Sequence, residues 1–295
     1  MNAFANYFIS GNPIFPGCAM IMMGVVFSFF YNKKMLYKIL SRVFFLTGIV
    51  LIVVSATSIS NFTFSIMIIA IFSLYFTLSM TSKTTAPFIN LCRALAFIGA
   101  AYIFYQEYAI RNLSVINPSK FEKLFIIGDT LTGKGDTNKN SSWYNIVKNE
   151  SNLPVVNLCT FENTIFSSFE RADLVYGNNI MVIVDGGRND VMSGLPLKVF
   201  SEHLEALLKV LVKSGRLIIM FEIPVSPLNI TYSKLQRDLC EKYHVRLLPK
   251  YIISSLLHDS ESSPDGIYLN ENGQRKIADE ILKITGVKKS EHTGP

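Results

Sequence analysis

Four apolar runs fill the first third of this 295-residue chain, at 14–31, 43–59, 62–80 and 87–105, and residues 1–105 contain no aspartate or glutamate. Each run is about long enough to cross a hydrocarbon core of roughly 30 Å as a helix. A buried core of a water-soluble protein would need acidic as well as basic residues on its outward faces. Four membrane spans are therefore expected. A cleaved signal peptide fits poorly, because no positive charge precedes the first run and three further runs follow it.

Basic residues set the expected orientation. Lys33, Lys34, Lys38 and Arg42 follow the first run, Lys83 lies between the third and fourth, and the connection between the second and third is uncharged. The positive-inside rule puts both basic connections in the cytoplasm, so the amino terminus and the large carboxyl-terminal part face outside it. Arg93, near the start of the fourth run, is expected to snorkel to the cytoplasmic surface rather than mark an intramembrane site. These six residues account for the whole surplus of the chain, since 22 of its 28 basic residues then stand against 22 acidic ones. A neutral outer part gives no electrostatic reason to expect a nucleic-acid partner. Lys288 and Lys289 read as a solvated tail.

From about residue 120, short apolar strands alternate with amphipathic helices. Strands are predicted at 123–127, 153–158, 180–185, 216–221 and 245–248, and helices at about 141–150, 163–171, 197–213, 230–243 and 271–285. Near-continuous Val/Ile/Leu strands separated by helices indicate a doubly wound, flavodoxin-like parallel sheet of five strands covered on both faces. The expected organisation is a membrane domain of four transmembrane helices (1–105), a linker (106–119), an α/β domain (120–287) and a short tail (288–295). Cys159 and Cys240 have no metal-binding spacing, and their predicted positions do not favour a disulfide.

Ligands of such a sheet bind beyond the carboxyl ends of its strands. At the first of these ends, Gly128 to Lys134 has the G-x-x-x-x-G-K spacing of a phosphate-cradling loop. Gly135 then supplies no hydroxyl for Mg²⁺, and the segment continues through helix breakers instead of opening a helix. An outward-facing domain would also meet little nucleoside triphosphate. Phosphate binding is not expected there.

A second reading joins three segments: Gly128-Asp129-Thr130-Leu131 after strand one, Gly187-Arg188-Asn189-Asp190 after strand three, and Asp265-Gly266-Ile267-Tyr268-Leu269-Asn270 before the last helix. In this order the chain resembles the SGNH/GDSL hydrolase family over residues 122–286. The resemblance implies acyl transfer without metal or cofactor, with a hydroxyl nucleophile at Thr130, an oxyanion amide at Asn189 and an orienting acid at Asp265. Asp129, Glu162 and Arg188 would line the substrate, Arg188 either reaching an anionic group or remaining solvated. Three departures alter the chemistry. Thr130 replaces serine, and its methyl crowds attack on a carbonyl. Tyr268 replaces the histidine base, and a phenol of ordinary pKa about 10 stays protonated at neutral pH. The family's second block falls on Asn157 to Glu162, with Cys159 and Glu162 at its glycine positions, and a carboxylate opposes an oxyanion. His258, on a predicted loop, is the one histidine that could fold back toward the site; His203 and His244 read as surface residues, and Asn270 as a helix cap.

These departures imply a membrane-anchored relative that binds an envelope glycan, lipid or protein partner without turning it over. The alternative is an active esterase or O-acyl transferase using Thr130.

Overall fold

A computed structural model describes residues 3–31, 33–79, 86–129, 141–160 and 163–288. The chain divides into a helical unit, Tyr7–Arg111, and an α/β unit that begins at Asn112.

After a short first helix, α1 (Ala3–Ile9), the helical unit comprises α2 (Ile14–Phe29), α3 (Met35–Val54), α4 (Asn61–Ser79) and α5 (Ala86–Arg111). Of the four expected spans, α3 and α5 are long and apolar enough to cross a membrane, while α2 and α4 are apolar helices of shorter described length. Ile14, Ile21, Ile52, Met67, Leu74 and Ile103 form the interior. The fourth apolar run does not end its helix at 105. Buried Glu107 receives Arg111 Nε at 2.9 Å, and Arg111 also donates to Asn12 Oδ1 and Ser10 O, both at 2.7 Å. That paired charge extends α5 through Arg111 into the residues expected to form the linker. Arg93 reaches the end of α2, donating from Nη2 to Ser28 O at 2.6 Å and from Nε to Ser28 Oγ at 2.9 Å. Lys83 lies outside the described residues.

In the α/β unit, the strands among the described residues are β1 (Lys123–Asp129), β2 (Val155–Thr160), β3 (Ile180–Asp185), β4 (Arg216–Phe221) and β5 (Arg246–Leu248), all parallel in the order β2-β1-β3-β4-β5. Alternate residues of each strand enter opposite cores. Leu124, Ile126, Met181 and Ile183 pack with Trp143 of α6 (Trp143–Glu150) and Ile277 and Ile281 of α12 (Glu271–Thr285). Phe125, Ile127, Val182 and Val184 pack with Phe200, Leu204 and Leu207 of α9 (Leu197–Leu211). Fully burying each of these large side chains contributes about 1.5–3 kcal/mol. Trp143 sits edge-on to Phe221 at 5.9 Å between centroids, and its backbone N–H donates to Gln274 Oε1 at 2.8 Å.

The remaining helices are α7 (Ile165–Glu170), α8 (Arg188–Met192), α10 (Ile230–Lys242) and α11 (Tyr251–Leu257). Asn270 caps α12, its Oδ1 accepting from Gly273 N at 3.0 Å. Cys159 and Cys240 are free thiols. Lys288 is not simply a solvated tail, because it bridges to Ser151 while Asn152 N donates to Val287 O at 2.7 Å.

Candidate active site

The site is built on the carboxyl edge of β1 and β3 and on the segments that lead into α7, α8 and α12. Cys159, Gly128 and Asp185 occupy one row across β2, β1 and β3. Gly128 has φ +136°, and a Cβ there would lie 1.6 Å from Asp185 O. Only glycine allows the two strands to stay paired at this point. The turn that would present Thr130 therefore starts from a backbone that its neighbour strand dictates. Thr130, Glu162 and the rejected phosphate loop with Lys134 and Gly135 lie outside the described residues.

Asp129, the last residue of β1, is buried and organises the next loops. Its Oδ2 accepts from Asn189 Nδ2 at 2.9 Å and its Oδ1 from Asn163 N at 3.3 Å. Asn189 Nδ2 also donates to Asn163 O at 3.0 Å. Both partners can only accept, which fixes the orientation of the amide and engages both of its hydrogens. Asp190 anchors the same region from the other side, its Oδ2 accepting from Ile165 N at 3.0 Å. Gly187, at φ +99°, provides the left-handed residue that turns β3 into α8 and sets Arg188, Asn189 and Asp190 in one helical turn.

Arg188 is mostly buried, with partners inside the site. It donates from Nη1 to Ile267 O at 2.5 Å, its Nη2 lies 3.8 Å from Asp129 Oδ2, and its guanidinium stands 5.5 Å over the Tyr268 ring. It thus ties the segment after β3 to the one before α12, and its charge is countered by Asp129. Asp265 uses one oxygen on its own turn, Oδ1 accepting from Ile267 N at 2.8 Å, Tyr268 N at 2.9 Å and Ser263 Oγ at 3.4 Å. Burial pushes this carboxyl up, but the N–H groups of Tyr268 and Ile267 outweigh it and hold the group below its ordinary value.

Among the described residues, His258 and His203 have partners of their own. His258 caps the end of α11, with Nδ1 against Ser254 O at 2.7 Å and Nε2 buried without a hydrogen bond. Its neighbour Asp259 is bound to Lys276 at 2.8 Å, in the second turn of α12, so the loop does not fold back on Asp265. His203 is half-buried against Phe166, 4.9 Å between rings, rather than a surface residue. Sequence reasoning also missed Asn163. Its backbone serves both Asp129 and Asn189, and its side chain is held by Ser167 Oγ at 2.7 Å, Arg171 Nη2 at 2.6 Å and Ser168. The available signal was Thr164 with Ser167, a reciprocal cap that starts α7 immediately after it.

Asp185 is buried with Oδ2 unpartnered, and burial together with the Asp129 charge raises its pKa to about 8 against the opposing pull of Arg188. An unfolded aspartate ionises near pH 4. Between these values the native chain holds the extra proton, so this group's contribution to stability falls as pH rises. Asp185→Asn mimics the neutral acid. Its stability relative to the natural chain is expected to increase from about pH 4 to about pH 8, followed by urea unfolding at each pH. A constant difference across that window would rule out a proton on Asp185.

The strand order, the helices on both faces and the motif segments gathered at the carboxyl edge define an SGNH hydrolase-like α/β domain, here following a helical amino-terminal region. Over 174 residues, 55% of this chain, it is 24% identical to an arylesterase from Vibrio mimicus, covering 87% of that protein. Solved structures similar to it include the psychrotrophic esterase EstA from Pseudoalteromonas (TM-score 0.49, 19% identity, covering 55% of this chain and 96% of that one). They also include a lipase/acylhydrolase from Enterococcus faecalis (TM-score 0.46, 16% identity, 59% and 100%). No protein-family profile matches the chain.

Proposed function

We propose that this protein is a membrane-anchored SGNH-like binder whose α/β domain faces outside the cytoplasm and holds a glycan, lipid or protein of the cell envelope without hydrolysing it. The observation that carries this reading is Asn189. Its amide, the group that would receive a developing oxyanion, already donates both hydrogens to Asp129 and Asn163. A donor engaged in the resting state lowers a transition state only by abandoning those partners. Tyr268, under Arg188, puts a phenol where the family resemblance calls for an imidazole base.

Membrane anchoring is supported by the outward faces of the helical unit. Only 22% and 28% of the most apolar windows of α3 and α5 are buried, and Leu46, Val53, Phe72 and Ile98 stand exposed. Water penalises such surfaces and lipid accepts them. The basic α2–α3 connection supports the orientation.

A second reading, an esterase or O-acyl transferase with Thr130 attacking, draws on the arylesterase similarity and on Asp265, which uses only Oδ1 on its turn. The test is hydrolysis of p-nitrophenyl acetate by the full chain purified in detergent. We expect a rate barely above buffer and no change in Thr130→Ala. Ready turnover that Thr130→Ala abolishes would replace the binder reading with the enzyme.

A further inference from the structure

The helical unit carries a second constellation, distinct from the motif site. Two guanidinium groups from different helices reach the end of α2. Arg93 of α5 holds Ser28 through the two bonds described above, donates from Nη1 to Asn90 Oδ1 at 3.0 Å and lies 4.2 Å over the Phe29 ring. Arg42 of α3 donates from Nη2 to Tyr31 Oη at 3.0 Å and lies over the Tyr31 and Tyr75 rings at 5.9 and 4.8 Å. Ser28 lies in the last turn of α2 and Tyr31 two residues beyond its end. Lys38 stands 5.2 Å over Tyr31, Lys33 stands 5.2 Å over Phe30, and Lys34 is exposed beside them.

No carboxylate in the sequence precedes Glu107. Glu107 follows Arg93 by 14 residues along α5, about 21 Å at 1.5 Å per residue, and is bound to Arg111. The hydrogen bonds of Arg93 go to a hydroxyl, a carbonyl and an amide, using three of its five N–H donors. Five basic side chains are thus gathered around residues 28–31 without an acidic residue nearby in sequence. Guanidinium forks match phosphate oxygens, and ammonium groups add point charge at a rim. The neighbouring surface is apolar, with Phe29, Met35 and Leu36 exposed, which suits acyl chains rather than a water-borne ester.

We propose that this end of the helical unit seats the phosphate-bearing headgroup of an anionic lipid, with Arg42 and Arg93 at the floor and Lys33, Lys34 and Lys38 at the rim. The proposal rests on the membrane reading above. The test begins with an alkaline carbonate wash of membranes from cells expressing the full chain. Release into the aqueous fraction would overturn the membrane reading and the lipid seat with it. Retained protein is reconstituted in nanodiscs of phosphatidylcholine with or without phosphatidylglycerol, and the lipid that stays bound on release into detergent is read by native mass spectrometry. We expect preferential retention of phosphatidylglycerol, weakened about fivefold by each of Lys33→Gln and Lys34→Gln and further by Arg42→Gln with Arg93→Gln. The two lysine variants are at exposed positions, so their result stands even where the arginine pair is lost to misfolding. Equal retention of both lipids, or undiminished retention in the lysine variants of intact anchored protein, would overturn the headgroup seat alone. Displacement of the lipid by inorganic phosphate would reassign the anion to a soluble phosphate ester.

Discussion

Thr130→Ser combined with Tyr268→His is expected to raise hydrolysis of a short activated ester by about 10²- to 10⁴-fold over the natural chain, the usual contribution of a positioned general base. The acid that would orient an imidazole at position 268 is already in place. Asp265 is fixed through Oδ1 by the N–H groups of Ile267 and Tyr268, and Oδ2 is the oxygen left to accept from the ring. Replacing the phenol also removes the ring under Arg188, whose hold on Ile267 O is to the backbone and survives the change. Asp265→Asn in the restored background should return the rate to its starting level. If the double substitution folds but stays inert, the oxyanion side is the obstacle, and Glu162→Gly is the next change. Inertness of that triple variant would remove the family geometry from consideration.

The largest stability effect is expected at Glu222, immediately beyond β4. This carboxylate is fully buried; it accepts from Ser233 Oγ at 2.8 Å, from Arg237 Nε at 2.7 Å and Nη2 at 3.0 Å, and from the backbone N–H of buried Lys250 at 3.1 Å. Burial pushes its pKa up, but Arg237 and Lys250 prevail and hold it down at about 2. Glu222→Ala would leave two cations without their counter-charge, which typically costs about 3–5 kcal/mol. Urea unfolding at neutral pH measures this. A loss of roughly 1 kcal/mol or less, the range of an exposed pair, would show that the network is not held dry. Because the native pKa is depressed, the natural chain should lose this stabilisation as pH falls from about 4 toward 2.

The fold of the α/β unit was legible because its strands are unbroken apolar runs, and a parallel sheet buried on both faces demands them. Strand β2 begins at Val155, two residues later than its apolar pattern, since Pro154 has no N–H and only its carbonyl is used, by Leu124 N. Helices α8 and α11 escaped notice because five and seven residues are too few to display a helical stripe. Motif order brought Asp129 and Asn189 to one edge, as the resemblance implied. What the order could not convey was partner choice. Arg188 turns to Ile267 O, and the Asn189 amide turns inward to Asp129 and Asn163, because those acceptors come from segments 26 to 79 residues away that only the folded backbone brings together. The apolar helices revealed their composition but not that Arg93 would face Ser28, since a hydropathy pattern carries no information on rotation about the helix axis.

Trp143 is the only tryptophan of the chain, and it lies wholly inside the α6–α12 side of the α/β core, edge-on to Phe221. Its ultraviolet emission is therefore an optical label for one half of the molecule. Unfolding of the sheet domain would shift that emission to longer wavelength as the indole meets water. Excited at the long-wavelength edge of indole absorption, where the tyrosines of the helical unit do not absorb, this emission follows the melting of the sheet domain alone within the intact chain.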